Sequence, residues 1–100
     1  MDKKEQPLVS VIVNCYNGEK YLQEAIDSVY AQTYKNWEIV FWDNASTDRS
    51  AEIAKSYESK IKYFKCDTNI SLGKARNKAI EKCNGDLIAF LDTDDIWAPE

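Results

Sequence analysis

The sequence predicts an α/β fold in which a doubly wound, mostly parallel open sheet is built in the order β-α-β-α-β-α-β. Three observations support this prediction. Four short runs are apolar on almost every residue, as expected for strands that helices cover on both faces. The spacers between the runs are long enough for the crossovers that parallel strands require. The 100 residues suffice for one domain and are too few for two.

The four predicted strands are rich in β-branched and aromatic residues, and polar residues bound each of them. They span Leu8 to Val13, Trp37 to Trp42, Ile61 to Phe64 and Leu87 to Leu91. Crossovers between parallel strands are right-handed in nearly all sheets. We therefore expect helices on both faces of an open sheet.

The first spacer carries the clearest helical signal, because its apolar residues recur at helical spacing. These residues are Tyr21, Leu22, Ala25, Ile26, Val29 and Tyr30. A shorter helix is predicted from about Asp48 through Tyr57, with Ser46 or Thr47 as its N-cap. A third is predicted from Leu72 to Cys83, ending at Asn84-Gly85. Its expected buried side consists of Leu72, Ala75, Ala79, Ile80 and Cys83.

The composition is that of a globular protein, with 44% hydrophobic and 30% charged residues. A net charge of -4 argues against nucleic acid as a partner, because neutralising phosphates requires a basic surface. A single small anion such as a nucleotide is still compatible with this charge, since a metal ion or a helix N-terminus can hold it.

The cysteines and the N-terminus indicate a cytoplasmic chain. Cys15, Cys66 and Cys83 are odd in number and widely spaced, which favours reduced thiols over a disulfide framework. The first apolar run, Leu8 to Val13, is too short for a signal peptide or a membrane span. We expect no membrane span in these residues.

Polar residues follow each predicted strand, at the edge where open α/β sheets bind their ligands. They are Asn14 to Asn17, Asp43 to Asp48, Asp67 to Ser71 and Asp92 to Asp95. Three of these four loops contribute carboxylates to one rim. The sequence therefore predicts that the chemistry of the protein is concentrated there.

The last of these loops, Asp92-Thr93-Asp94-Asp95, allows two interpretations. Carboxylates two residues apart at a strand end suit Mg²⁺ or Mn²⁺, which prefer hard oxygen ligands and often share them with substrate phosphates. The alternative is an acidic turn that caps a following helix. The two interpretations carry about equal weight on this motif alone.

The other rim residues have similar alternatives. Asp43 or Asn44 either reads the polar edge of a ligand or forms a turn before the second helix. Tyr16 packs on a base or belongs to a plain turn with Asn17. Arg76, at the start of the third helix, touches a phosphate or is a solvated surface cation.

Four motifs occur in order with matching spacing across nearly the whole chain. They lie within two stretches, VSVIVNCYNGEKYLQEAIDSVYAQTYKNWEIVFWDNASTDRS and GKARNKAIEKCNGDLIAFLDTDD. Together these stretches resemble the nucleotide-binding half of family 2 glycosyltransferases, which are inverting enzymes of the Rossmann-like GT-A fold. The resemblance implies that residues 1–100 bind a nucleotide-diphosphate sugar and precede an acceptor-binding half that this sequence does not contain.

The resemblance also implies roles for the rim residues. Tyr16 and Asn17 would open the nucleotide pocket, with Asn14 near the base. Asp43 and Asn44 match a motif whose second position contacts the base. Asn44 stands where the family often has Asp, so a carboxylate that accepts a base N–H is replaced by an amide that donates and accepts. UDP and dTDP sugars are the favoured donors.

The Asp-x-Asp motif of the family falls on Asp92-Thr93-Asp94. By resemblance, Asp92, with Thr93 beside it, faces the ribose or the sugar. Asp94 binds Mn²⁺ or Mg²⁺ with Asp92 or Asp95 as further ligand candidates. Arg76 matches a stretch that supports the pocket.

The implied reaction is a metal-assisted sugar transfer to a glycan or lipid-linked acceptor in the synthesis of cell-surface polysaccharide or another glycan. The general base is expected beyond residue 100, so these residues would bind the donor without transferring it. The full-length protein is expected in the cytoplasm or at the inner face of the membrane. The unpaired sheet edge would favour self-association.

Two other function classes compete with this interpretation. A non-catalytic module could keep the fold and use the acidic rim only as a nucleotide or cation site. A nucleotidyltransferase would use a similar sheet and acidic pair, but the chain lacks the glycine-rich basic loop expected after its first strand. The first alternative predicts no preference among nucleotides, and the second predicts a preference for a nucleoside triphosphate.

Overall fold

The computed structural model describes residues 7–57 and 60–92, and within them it contains four strands and three helices. The strands are β1 (Val9–Cys15), β2 (Trp37–Asp43), β3 (Ile61–Lys65) and β4 (Leu87–Asp92). The helices are α1 (Glu19–Tyr30), α2 (Ser50–Lys55) and α3 (Leu72–Ile80). The order β-α-β-α-β-α-β is the predicted one.

All strand pairs are parallel, and the sheet has the order β3-β2-β1-β4. Val9 pairs with Trp37 on one side and with Leu87 on the other, so β1 is central. The chain moves outward from β1 to β3 and then crosses back to place β4 on the opposite side. The order in which strands are added therefore reverses between β1 and β4, and such a switch point is where open α/β sheets bind ligands. The predicted fold class is confirmed.

The two faces of the sheet have separate cores because successive strand side chains point to opposite sides. One core packs α1 and α2 against residues such as Val11, Ile39 and Phe41. The other packs α3 against Ile12, Val40 and their neighbours. Strands buried from both sides explain the continuous apolar runs in the sequence.

Helix α2 is shorter than predicted, and its predicted N-cap is wrong. It spans Ser50–Lys55, and neither Ser46 nor Thr47 caps it. The Oδ1 atom of Asp48 instead accepts a hydrogen bond from the Ser50 backbone N–H at 2.9 Å. The other Asp48 oxygen accepts from the Glu19 N–H at 3.1 Å, so one carboxylate serves the first turns of two helices.

Helix α3 also ends before the predicted residue. It stops at Ile80, after which Lys82 N–H and Cys83 N–H bond to carbonyls three residues earlier and tighten the chain into a turn. Ala75 and Ala79 are buried as predicted. Leu72 and Ile80 are 53% and 39% exposed, which corrects the predicted buried side of this helix.

Strand β4 leaves much apolar surface exposed. Leu87, Ile88 and Phe90 are 54%, 43% and 45% exposed, and within residues 7–57 and 60–92 β4 pairs only with β1. Self-association through this edge stays a prediction. Among the described helices, none has the length and apolar character needed to cross a membrane.

Gly85 packs against β1 so closely that a methyl group does not fit. An added Cβ would lie 2.5 Å from Ser10 Oγ, 2.7 Å from Ser10 N and 2.8 Å from Leu8 O. We expect Gly85→Ala to lower the free energy of unfolding by about 1–3 kcal/mol, the usual cost of overpacking. Gly73→Ala is the matched control, because nothing lies within 4 Å of its added Cβ.

Urea denaturation of both glycine variants checks this prediction. Gly73 lies in helix α3, where alanine is the better helix former, so Gly73→Ala should gain up to about 1 kcal/mol. Equal effects of the two substitutions would contradict the close approach at Gly85.

A polar network joins the strands to the turn before β4. The Glu38 carboxylate accepts hydrogen bonds from Ser10 Oγ at 2.6 Å and from Asn84 N–H at 2.8 Å. It also forms a salt bridge of 2.8 Å with Lys62. Ser10 Oγ in turn accepts from the Gly85 N–H at 2.8 Å. Ser10 and Glu38 thus hold the Asn84-Gly85 turn against the sheet.

This network makes stability depend on pH in a specific direction. Burial raises the pKa of Glu38, but the Lys62 ammonium, the Ser10 hydroxyl and the Asn84 N–H outweigh it, so the pKa is lower than the ordinary 4.5. The ionised carboxylate therefore stabilises the fold above that value, and its contribution is lost as the pH falls through the lowered pKa.

We expect Glu38→Gln to lower the free energy of unfolding by about 1–2 kcal/mol at neutral pH. The difference between wild type and variant should shrink as the pH falls below about 4.5, where the unfolded carboxyl binds its proton. Denaturant titrations of both proteins at several pH values measure this difference. A difference that is constant with pH would show that the charge of Glu38 does not contribute.

Candidate functional site

A pocket of about 320 Å³ opens at the carboxyl ends of β1 and β2. The β3–α3 loop and the first turns of α3 form its other wall. Its lining residues are Asn14, Cys15, Tyr16, Asn44, Asn69, Ile70, Ser71, Leu72 and Ala75. The pocket therefore lies on the α3 side of the sheet, at the rim that the sequence predicts to carry the chemistry.

Asn14 and Tyr16 form the β1 side of this pocket. Asn14 is half-buried near the end of β1, and its Oδ1 atom has no hydrogen-bond partner among the residues that the structure describes. Tyr16 is 56% exposed, so its ring is available to a ligand. Cys15, between them, faces the opposite core, where burial raises the pKa of its thiol and keeps it protonated.

Asn44 forms the β2 side of the pocket and is only 8% exposed. Its backbone N–H donates to the Cys15 carbonyl at 2.8 Å, which extends the β1–β2 ladder by one bond. Its side-chain nitrogen donates to the Ile70 carbonyl at 2.7 Å, and its side-chain oxygen accepts from the Ile70 N–H at 3.0 Å. The β3–α3 loop is thereby attached to the end of β2.

Asp43 lies outside the pocket, because adjacent residues of a strand point to opposite faces. Its carboxylate is 1% exposed on the side of α1 and α2. Oδ2 accepts a hydrogen bond of 2.5 Å from the Tyr63 hydroxyl, and Oδ1 accepts one of 2.9 Å from the Ser46 N–H. Burial and this carboxylate raise the pKa of Tyr63. Asp43 thus stabilises the loop after β2 from the face of the sheet that α1 and α2 cover.

Asn17 also points away from the pocket, toward the loop that follows β2. Its Oδ1 accepts hydrogen bonds from the N–H groups of Thr47 and Asp48 at 2.7 and 3.3 Å. Its own N–H donates to Ser46 Oγ at 2.9 Å. Asn17 has a positive φ of 52°, which Asn tolerates better than most residues. The loop after β1, which contains Tyr16 and Asn17, is therefore hydrogen-bonded to the loop from Asn44 to Asp48 after β2.

Arg76 lies on α3, with its guanidinium 5.1 Å from the centre of the Phe90 ring of β4. Its Nε is buried and has no hydrogen-bond partner within the described part of the chain. Arg76 does not line the pocket. It packs beside β4, next to the point at which the strand order reverses. This position is compatible with the pocket support that the resemblance implies, and contact with a phosphate stays a prediction.

Asp92 is the last residue of β4 and pairs in register with Asn14. The strand thus ends beside the pocket. The Asp92 side chain and the predicted Thr93, Asp94 and Asp95 lie outside the described residues. Among the described side chains, no cluster of three or more metal-ligating residues occurs.

The structure brings together three of the predicted residues, Asn14, Tyr16 and Asn44. It places Asp43, Asn17 and Arg76 around them as supports. The wall formed by Asn69, Ile70, Ser71 and Leu72 contains no residue that the sequence indicated as a ligand contact, although the loop after β3 was expected at the rim. Ile70 takes part through its backbone N–H and C=O, which side-chain motifs do not reveal.

The description of the matching family model is Glycosyl transferase family 2, and the match covers residues 10–100. The chain is 45% identical over 93 residues to an uncharacterised glycosyltransferase of Rickettsia typhi (strain ATCC VR-144 / Wilmington). The aligned residues cover 93% of this chain and 29% of the length of the Rickettsia protein. TuaG of Bacillus subtilis (strain 168), provisionally named a teichuronic acid biosynthesis glycosyltransferase, is 39% identical over 92% of this chain and 38% of its own.

Solved structures show the same fold. TarS 1-349 of S. aureus in complex with UDP-GlcNAc has a TM-score of 0.83 and 36% identity, over 88% of this chain and 27% of TarS. The mannosyltransferase PcManGT of Pyrobaculum calidifontis, in complex with GDP-Man and Mn²⁺, has a TM-score of 0.84 and 27% identity, over 92% and 29% of the two chains. The chain thus spans about a third of the length of these proteins.

Proposed function

Because the chain belongs to glycosyl transferase family 2, we propose that it forms the donor-binding part of an enzyme that transfers a sugar from a nucleotide-diphosphate sugar. The observation that carries this proposal is the pocket between Asn14, Tyr16 and Asn44 at the carboxyl ends of the central strands. It lies at the carboxyl ends of the strands, the side of an open α/β sheet on which ligands bind. Its lining offers an aromatic ring and two amides for a base.

The substrate class is supported by the proteins to which the chain is similar. TarS is described in complex with UDP and with UDP-GlcNAc, and PcManGT in complex with GDP-Man. We propose a UDP or dTDP sugar as the donor. The name of TuaG supports a cell-surface polysaccharide as the product. A glycan or a lipid-linked acceptor would then bind outside the described residues.

A divalent metal, Mn²⁺ or Mg²⁺, fits the residues at the end of β4. The backbone register sets Asp92 beside Asn14, and Asp94 and Asp95 follow it in sequence. Carboxylates are the ligands that these cations prefer. Asp94 would hold the metal, with Asp92 or Asp95 as a further ligand. A bound metal would offset the negative charge of the diphosphate leaving group.

These 100 residues would bind and orient the donor. Tyr16 would pack on the base, Asn14 and Asn44 would contact its polar edge, and Asp92 with Thr93 would face the ribose or the sugar. Asp43, Asn17 and Arg76 would hold the surrounding loops and α3 in place. The general base that deprotonates the acceptor would lie beyond residue 100, and the 100 residues alone would bind donor without transferring sugar. The site of action would be the cytoplasm or the inner face of the membrane.

A calorimetric titration with UDP, dTDP and GDP, each with and without Mn²⁺, tests this proposal. We expect metal-dependent binding of one nucleotide. Asp94→Ala should weaken that binding at least about tenfold, since loss of even an outer-shell partner costs that much at many metal sites. Glu24→Ala, which removes an exposed carboxylate from α1, is the matched control and should bind as the wild type does.

Two results would contradict the proposal. Folded wild-type protein that binds none of the three nucleotides would leave the family fold without a working donor site. Equal binding of all three, independent of Mn²⁺ and of Asp94, would instead favour a non-catalytic nucleotide-binding module.

A further inference from the structure

The Asn44 side chain is almost fully committed to protein contacts. Its Nδ2 donates to the Ile70 carbonyl at 2.7 Å, and its Oδ1 accepts from the Ile70 N–H at 3.0 Å. The Cys66 thiol lies 3.6 Å from the same Oδ1 as a second donor. These two bonds resemble the paired N–H and C=O bonds between neighbouring strands, except that Asn44 contributes its side-chain amide instead of its backbone.

The orientation of this amide follows from its partners. A backbone N–H only donates and a carbonyl only accepts, so the oxygen of Asn44 must face Ile70 N and its nitrogen must face Ile70 O. An amide oxygen has two lone pairs, and Ile70 and Cys66 occupy both. The nitrogen has two hydrogens, and Ile70 uses one. A single N–H of Asn44 is therefore left for a ligand in the pocket.

Asn14 has the opposite property. It lines the same pocket, and its buried Oδ1 has no partner among the residues that the structure describes. A buried acceptor without a partner is costly, and a ligand N–H would satisfy it. Within the described part of the chain, one N–H of Asn44 and the Oδ1 of Asn14 are therefore left without a protein partner in the pocket.

We infer that Asn44 positions the pocket wall through Ile70 and reads a carbonyl oxygen of the nucleobase, while Asn14 accepts the imide N–H of the base. This inference rests on the proposed function, because it concerns the same pocket. It reverses the expectation from the family pattern, in which position 44 accepts the N–H. With Asn at this position, residue 44 donates to the base instead of accepting from it, and Asn14 supplies the acceptor.

The positioning role can be tested without any nucleotide, by hydrogen exchange of the Ile70 amide. Asn44→Ala removes the oxygen that accepts the Ile70 N–H, so exchange at Ile70 should speed up by about tenfold or more. The Ile39 amide, bonded to Lys60 O in the sheet, reports global unfolding and should change less. Equal acceleration at Ile70 and Ile39, or none at Ile70, would overturn the positioning role.

The reading of the base is tested with three analogues of UDP. 3-Methyl-UDP lacks the imide N–H, and 2-thio-UDP and 4-thio-UDP each replace one carbonyl oxygen with a weakly accepting sulfur. In the wild type, both kinds of change should weaken binding by several-fold. Asn14→Ala should abolish the penalty for the methyl group, and Asn44→Ala should abolish that for one of the sulfur substitutions.

A purely structural role of either residue would weaken binding of all four ligands equally and leave these ratios unchanged. A methyl penalty that disappears in Asn44→Ala and persists in Asn14→Ala would show that Asn44 accepts the N–H, contrary to the inference. Failure of the wild-type protein to bind either UDP or dTDP would count against the proposed function. The exchange result at Ile70 would then decide the positioning role independently.

Discussion

Replacing Phe41 with Ala should lower the free energy of unfolding by about 3–5 kcal/mol, the largest effect expected of any single substitution in this chain. Phe41 lies in the middle of β2 and has no exposed surface. Its ring stacks on Tyr63 of β3 with a centroid distance of 5.7 Å, and it belongs to the core under α1 and α2. Removing it leaves a cavity that neighbouring strands cannot close.

Urea denaturation of Phe41→Ala measures this loss, and Phe90→Ala provides the matched control. Phe90 also lies on a strand, but it is 45% exposed, so its removal should cost about 1 kcal/mol or less. A folded domain of this size has about 5–15 kcal/mol of stability in total. Similar losses from the two substitutions would mean that the core is not where the structure places it.

Replacing Asp43 with Ala should lower the free energy of unfolding by about 3 kcal/mol, because hydrogen bonds to a charged group contribute roughly 1.5–3 kcal/mol each. The buried carboxylate holds the Tyr63 hydroxyl and the Ser46 N–H. Its loss leaves both donors without their acceptor at the start of the loop that interlocks with Asn17. Donor affinity should fall as a secondary effect, since Asp43 does not line the pocket.

Two variants separate the contributions to the Asp43 effect. Tyr63→Phe removes one hydrogen bond and should cost about half as much. Asp43→Asn keeps the shape and one acceptor, so it should lie between wild type and Asp43→Ala. Thermal and urea denaturation check this order. An Asp43→Ala protein as stable as the wild type, with reduced nucleotide binding, would instead make Asp43 a ligand contact.

The strands and helix α1 could be predicted from the sequence because their signals are local. Continuous apolar runs and a regular helical stripe do not depend on what lies elsewhere in the chain. The start of α2 depends on Asp48, whose carboxylate is shared with the Glu19 N–H of another helix. The bond from Ser50 is local, but the predicted helix already included Asp48, so its predicted caps Ser46 and Thr47 lie too early in the chain. Only the bond from Glu19 joins distant segments, and a pattern read along one segment does not reveal it.

From the residues alone the candidate site could be predicted as a rim, and the expectation of a pocket came only from the family resemblance. Strand ends locate the rim, and the alternation of side chains then divides it between the two faces. That alternation already separates Asp43 from Asn44, because Asp43 continues the face of Phe41 and Asn44 that of Trp42. The bonds between Asn44 and Ile70 join residues 26 apart and required the folded structure.

The strand order also has a kinetic consequence. Contacts between β1 and β2 join residues such as Ser10 and Glu38, which are 28 apart, whereas those near the start of β4 join Leu8 and Asp86, which are 78 apart. Closing the longer loop costs more chain entropy and slows folding. We expect β1, β2 and β3 to assemble first and β4 to dock last, so the half of the rim that carries Asp92 would form in the final folding step.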